Sequence, residues 1–288
     1  MSRVIQHSSR FAAITGAGSG LGRDIALGLA AKGYRVFGTA ITPEEITDLQ
    51  QAAGGAVTLT SCDITDEPAV KRWARGVSAE TDCGINLLIS NAGILTPGPI
   101  ETLPLNSIRR EFEVNVFGAL CVVNAFLPAL RKARGRIVQV STWTAHLPLP
   151  FNGPSGASKA AMEVFATVYR EELKRFGIDV VVAVAGNMRT GGPAKTASAL
   201  ARTVERMTLE ERDLYGKEFG TFAAKLNSMQ DNGLASVDAA KRVIEIAEQN
   251  PAPRFAEVGQ DAEEILRVVR EKSDDEQDAL RLRIVGLR

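Results

Sequence analysis

Short runs rich in apolar residues recur through the first two thirds of the chain, at residues 11–15, 34–39, 56–61, 85–90, 136–142 and 178–185, mostly without polar alternation inside them. Uninterrupted runs of this length suit strands of a parallel sheet that is covered on both faces. Between them lie longer segments with helical periodicity, chiefly 21–32, 67–80, 105–131 and 155–176, each long enough to return the chain across a sheet. The alternation predicts an α/β fold, a single-domain Rossmann-type doubly wound parallel sheet whose core spans residues 10–185. Pro104 near the start of 105–131, and Gly135 after a basic last turn of Arg131, Lys132 and Arg134, mark the ends of that helix.

After Gly186 the pattern dissolves. Residues 186–235 are polar, with short helices and no strand expected, and read as a mobile cover over a substrate site. A helix at 237–249, a strand at 254–258 and a charged tail from Asp261 complete a C-terminal segment, 236–288. No linker separates a second domain, so residues 1–288 are expected to form one unit.

Composition narrows the partner. Thirty-four Lys+Arg balance thirty-four Asp+Glu for a formal net charge of zero, which gives no chain-wide attraction to nucleic acid or to an acidic membrane. Cys62, Cys83 and Cys121 are far apart and only His7 and His146 are present, so no metal cluster is expected. The first ten residues have no apolar run, and the longest apolar stretch, 118–130, is broken by Asn124 and too short to span a bilayer. A cytoplasmic protein acting on a small molecule is the expectation.

The first apolar run leads into Thr15, Gly16, Ala17, Gly18, Ser19, Gly20, Leu21 and Gly22, followed by a helical segment. Glycines concentrated where a strand enters a helix let the backbone approach a pyrophosphate, which the helix N-terminus then holds through free N–H groups and its dipole. The spacing Thr-Gly-x-x-x-Gly-x-Gly resembles that of the short-chain dehydrogenase/reductase family, and further stations of that family follow in order across residues 10–260. Asp63 and Ile64 resemble the segment that contacts adenine. Asn91, Ala92 and Gly93 are similar to the family's turn after the fourth strand. Asn115, in Val-Asn-Val-Phe-Gly, matches the catalytic-helix asparagine, and Ser158, Lys159, Ala160 and Ala161 match the segment holding the catalytic lysine.

The resemblance implies a cofactor site formed by Gly16, Ser19, Gly20, Leu21, Gly22, Asp63, Ile64, Asn91, Ala92, Gly93 and Lys159. Gly186 and Thr190 after the sixth strand would contact the nicotinamide amide and phosphates. The stretch Leu149, Pro150, Phe151 and Asn152 is similar to hydroxysteroid and retinol dehydrogenase-like members, with Trp143 and His146 as candidate pocket residues. The second strand ends at Thr39, Ala40, Ile41 and Thr42 without the aspartate of an NAD-preferring member, which leans toward NADP over NAD. The two helices through which the family dimerises correspond to 105–131 and 155–176. Apolar residues spread widely around 118–130, which also points to a homo-oligomer, a dimer or tetramer.

The family's proton-transfer tyrosine lies four residues before its lysine, and here that position is Ser155. A phenol there would have its pKa lowered from about 10 by the Lys159 ammonium and could exchange a proton with a substrate oxygen. A serine hydroxyl is much less acidic and a ring too short. The hydroxyl that polarises the substrate oxygen falls on Thr142, with the neighbouring Ser141 expected to face the other way. Asn115, Thr142, Ser155 and Lys159 thus form the implied catalytic set. They point to an NAD(P)-dependent oxidoreductase interconverting an apolar secondary alcohol and its ketone, impaired at Ser155. The alternatives are a non-catalytic NAD(P)-binding sensor or assembly protein, and an enzyme using water or His146 as its acid. A Ser155–Lys159 hydrolytic pair stands third. Tyr169 is about 21 Å along its helix from position 155, whereas Tyr215 in the cover remains open as a source of a phenol.

Overall fold

The computed structural model describes residues 10–82, 84–189 and 192–287. Seven strands form one sheet: β1 (Arg10–Ile14), β2 (Tyr34–Ala40), β3 (Val57–Ser61), β4 (Leu87–Ser90), β5 (Arg136–Thr142), β6 (Asp179–Ala185) and β9 (Phe255–Val258). Their order is β3-β2-β1-β4-β5-β6-β9, every pair parallel. β4 is buried at every position, and β1 and β6 at all but their first residue, because helices cover both faces. The expected Rossmann-type sheet is present, and its strand bounds agree with the apolar runs to within two residues.

On one face α1 (Gly20–Ala31) and α9 (Ser236–Glu248) pack through Ile25, Leu29, Val243 and Ile244. On the other face α3 (Glu67–Glu80) and α5 (Ala119–Ala133) meet where the Trp73 and Phe126 rings cross at 4.7 Å, beside α6 (Gly153–Leu173). α2 (Pro43–Ala52), absent from the sequence expectation, buries only Leu49 fully, so its periodicity is faint; it is started by Pro43 and by the Thr42 hydroxyl, which accepts from Glu45 N at 3.2 Å. Strand order reverses between β1 and β4, and the crevice at the carboxyl ends of these strands is where a doubly wound sheet holds its ligand.

The segment after β4 is one helical run in three parts: α4 (Leu105–Phe112), a π-helical turn (Glu113–Gly118) and α5. Its C-terminal stop is Arg134, at φ 49°, and not the expected Gly135. Gly135 is needed for a different reason: a Cβ there would lie 2.2 Å from the Ile85 carbonyl oxygen. At 29 residues the run from Leu105 to Ala133 is longer and more continuous than the 118–130 stretch suggested, and it is long and apolar enough to cross a membrane. Yet 56% of its most apolar window is buried inside the fold, as in a core helix.

The cover is also more regular than expected. It contains α7 (Gly192–Arg206), α8 (Leu209–Asp231) and a two-strand ribbon, β7 (Met188–Arg189) with β8 (Leu234–Ala235). α8 begins with a capping box between Thr208 and Glu211, and it buries Phe219 and Phe222 against Phe151, with each ring pair 5.6–5.9 Å apart. The charged tail folds as α10 (Gln260–Glu271) and α11 (Asp274–Ile284), the latter capped by Ser273 and Glu276.

Candidate active site

A cavity of about 810 Å³ opens at the carboxyl ends of β1, β2, β4, β5 and β6, and the cover closes one side of it. Its floor begins at the glycine turn. Gly16 and Gly20 adopt φ of 66° and 54°, and a Cβ on Gly22 would stand 2.2 Å from the Gly16 carbonyl oxygen, so the turn closes only with glycine there. Thr39 braces it from β2, accepting from Gly16 N through Oγ1 at 3.0 Å and from Ala17 N through its carbonyl at 2.8 Å. The Ser19 side chain does not cap α1, which leaves the first-turn N–H groups available to an anion. These features fit the pyrophosphate of a dinucleotide.

Asn91, Ala92 and Gly93 line the cavity. Asn91 also has a bracing role: its amide donates to the Thr15 carbonyl at 3.0 Å, while Thr15 Oγ1 accepts from Asn91 N and Ala92 N at 2.9 and 3.0 Å. Asp63 and Ile64 line the far end with Thr39, Ala40, Ile41, Thr42, Glu45 and Arg110. Partial burial pushes the Asp63 carboxyl upward, but hydrogen bonds from Thr65 N and Oγ1 and from Arg110 outweigh this and hold it below the usual carboxylate range.

At the other end β5 and α6 bring Thr142, Ser155 and Lys159 to one wall. The Lys159 ammonium donates to the Val140 carbonyl at 3.0 Å, and burial lowers its pKa to about 8 against the pull of Glu111 and Glu163. Thr142 Oγ1 contacts Thr144 N and Oγ1, both at 3.4 Å. Ser141 lines the cavity beside Thr142, but its hydroxyl is turned to α6, where it donates to the Glu163 carboxylate. Ser155 stands in the first turn of α6, its carbonyl accepting from Ser158 Oγ at 3.0 Å.

Asn115 lies in the π-helical turn but does not line the cavity. Its Oδ1 accepts from Ile94 N at 2.9 Å, and its Nδ2 donates to the Ile94 carbonyl at 2.9 Å and to Ser158 Oγ at 3.0 Å. It acts here as a positioning residue that clamps the chain after Gly93 to α6. Glu111 beside it, with no exposed surface, went unnoticed in the sequence. Burial pushes its carboxyl up to about 7, with Thr96 and Lys159 pulling partly back.

His146 is not a cavity residue. Its Nε2 lies 2.9 Å from Glu163 Oε2 behind α6, and its ring packs edge-on to Phe255, so it has no access to a substrate oxygen. Tyr215 is likewise outside the cavity, its hydroxyl donating to Glu101, whereas Trp143 is buried and forms part of the wall. Gly186 is where the sequence placed it, and a Cβ there would strike the Asp261 carboxylate at 1.8 Å. Asp261, which the sequence did not single out, accepts from Asn187 N and Nδ2 at 2.7 and 2.9 Å and so ties α10 to the chain leaving β6. Thr190 falls outside the described residues.

Comparisons with known proteins match this geometry. Residues 10–200 match the family model of the short chain dehydrogenase. The chain is 31% identical to human retinol dehydrogenase 5 over 259 residues, covering 86% of this chain and 80% of that protein. It is 28% identical to the NADPH-dependent 3-dehydrocapnine reductase of Ornithobacterium rhinotracheale over 240 residues, with coverage of 75% and 85%. A short chain dehydrogenase from Burkholderia cenocepacia J2315, solved in complex with NADP, superposes with a TM-score of 0.73 at 26% identity, covering 97% of this chain and 99% of that one. The glycine turn, the Asn91 brace and the β5–α6 wall thus occur within a match that spans most of the sheet, and the chain belongs to the short chain dehydrogenase family of NAD(P)-dependent oxidoreductases.

Proposed function

We propose that this protein interconverts an apolar secondary alcohol and its ketone, with proton transfer weakened by Ser155. The observation that carries the reading is a single cavity with a pyrophosphate-fitting glycine turn at one end and Thr142, Ser155 and Lys159 together at the other. Gly16, Ser19, Gly20, Leu21 and Gly22 would hold the dinucleotide phosphates, and Asp63, Ile64 and Ala92 the adenosine side. When bound, the nicotinamide supplies the hydride donor or acceptor.

The chain's own residues manage the proton at the substrate oxygen. Among the described residues the Thr142 hydroxyl has only long contacts, to Thr144, so it is available to polarise that oxygen. Ser155 is too short to reach it as a phenol would and can at most order a water. Among the described residues Lys159, lowered to about 8, is the titratable group beside Thr142 and Ser155, so the proton passes between the substrate oxygen and Lys159 through that water. Leu95, Trp143, Leu149, Met188, Ala199 and Leu226 give the substrate end an apolar wall, which suits a hydrocarbon-rich alcohol.

The absence of the phenol favours one second reading, a protein that binds the dinucleotide without turnover. Thermal denaturation with NADH or NADPH, followed by hydride-transfer assays on apolar ketones and secondary alcohols, separates the two. Stabilisation with turnover supports the oxidoreductase, stabilisation with no turnover on any substrate supports the second reading, and no stabilisation by either dinucleotide removes both.

A further inference from the structure

The end of β2 lacks an acidic residue, which in sequence leaned toward the phosphorylated cofactor. The folded chain supplies a carboxylate from elsewhere. Glu45 lies in the first turn of α2, and its side chain folds back over the end of β2, where Oε2 accepts from Ile41 N at 3.3 Å. It also stands against the glycine turn: a Cβ on Gly18 would be 2.7 Å from Ala40 Cβ, 2.8 Å from Glu45 Cβ and 2.9 Å from Glu45 Oε2. Glu45 therefore lines the cavity between the turn that fits the pyrophosphate and the Asp63–Ile64 segment. A chain of groups running from pyrophosphate to adenine at this point passes the adenosine ribose.

We propose that Glu45 selects the cofactor, accepting hydrogen bonds from the ribose hydroxyls of NAD(H) and repelling the 2′-phosphate of NADP(H). The proposal rests on the reading of the cavity as a dinucleotide site. Three observations carry it. The carboxylate is held in place by the Ile41 N–H, so it is directed by the backbone and not free to swing at will. The N-terminus of α2, which would otherwise attract a phosphate, is already served by the Thr42 hydroxyl and carries Glu44 and Glu45 in its first turn. The arginines on this side are already engaged: Arg23 with Asp48 at 3.1 Å, and Arg110 with Asp63 at 3.0 Å. A 2′-phosphate would thus bring about two negative charges beside a carboxylate, with the flanking described cations held by carboxylates of their own.

The test is direct binding, measured by titration calorimetry of NADH and NADPH with the native chain and with Glu45→Gln. The glutamine oxygen can still accept from Ile41 N, so the local fold is retained. The native chain should bind NADH at least about tenfold more tightly than NADPH at low salt, and the gap should narrow as salt rises. Glu45→Gln should strengthen NADPH binding by about tenfold while changing NADH binding by less than about threefold. Equal or tighter NADPH binding by the native chain, or an unchanged ratio in Glu45→Gln, overturns the role of Glu45 and leaves the dinucleotide site standing. Binding of neither dinucleotide overturns the site reading itself, and the selection proposal with it.

Discussion

The Lys159 ammonium is tied to the carbonyl of Val140, at 3.0 Å, one strand position pair from Thr142. That bond fixes the charge at the end of the cavity lined by Thr142 and Ser155, while burial brings its pKa down to about 8. Lys159 therefore changes protonation close to neutral pH even with no phenol above it. In ketone reduction the substrate oxygen must gain a proton, and the protonated amine that supplies it prevails below about pH 8. The reduction rate should be level below that value and fall above it, while alcohol oxidation should rise toward it and then level. A pH profile of kcat in both directions checks this, and a reduction rate that rises through pH 8 would contradict the role given to Lys159.

Glu111 predicts a pH effect on stability. It is wholly buried, and its Oε2 has no well-aligned hydrogen bond among the described residues. Its pKa rises from 4.5 to about 7, first because of burial. The folded protein holds this proton more tightly than the unfolded chain does. Its contribution to stability is therefore complete below about pH 4.5 and is lost as pH rises through about 7. Glu111→Gln keeps the shape without the ionisation, so it should raise Tm by several degrees at pH 8 and by little or nothing at pH 5. Equal shifts at both pH values would show that Glu111 is not ionising in this range.

Association is the next expectation. Phe117 in the π-helical turn and Val164, Phe165 and Val168 on α6 are 41–66% exposed. They flank the contact that Val116, Ala119 and Met162 make between the two helical elements, forming an apolar face on the outside of the fold. We propose that this face pairs two copies of the chain. Light scattering should report an oligomer at micromolar concentration, and Val164→Glu with Val168→Glu should shift it to monomer without loss of helical signal. A native monomer would defeat the expectation.

How far the sequence reached depended on where each residue's partners lie. β6 was legible end to end because neighbouring strands on both sides and helices on both faces demand apolar residues at every position after Asp179. The glycine turn was legible because its constraint is local, with Gly22 closing on Gly16 six residues away. α7 and α8 were not, since Leu200, Met207, Phe219, Phe222 and Leu226 are spaced among charged residues and show their purpose only against Phe151. Asp261 escaped because its partner Asn187 is distant in sequence, and Glu45 because the glycine turn it stands against, at Gly18, lies in another loop. The family pattern located Asn115, but only the structure showed both bonding groups of its side chain committed to Ile94 and Ser158.

Ser155→Tyr is the sharpest test of the mechanism. Everything a phenol at this position would use is in place: Lys159 held by Val140 one helical turn away, Thr142 on the same wall, and open cavity beside Ser155. The Lys159 charge would lower the phenol's pKa, placing an acid within direct reach of the substrate oxygen. General acid–base catalysis contributes about 10²–10⁴-fold, so hydride transfer should rise by that order. Cofactor binding should change little, because the glycine turn and Asp63 are remote from position 155. The assay follows nicotinamide absorbance with both proteins on apolar ketones and secondary alcohols, and calorimetry reports cofactor affinity in parallel. A folded Ser155→Tyr protein that binds cofactor as the native chain does and is no faster on any substrate would show that proton transfer at position 155 is not what limits this enzyme.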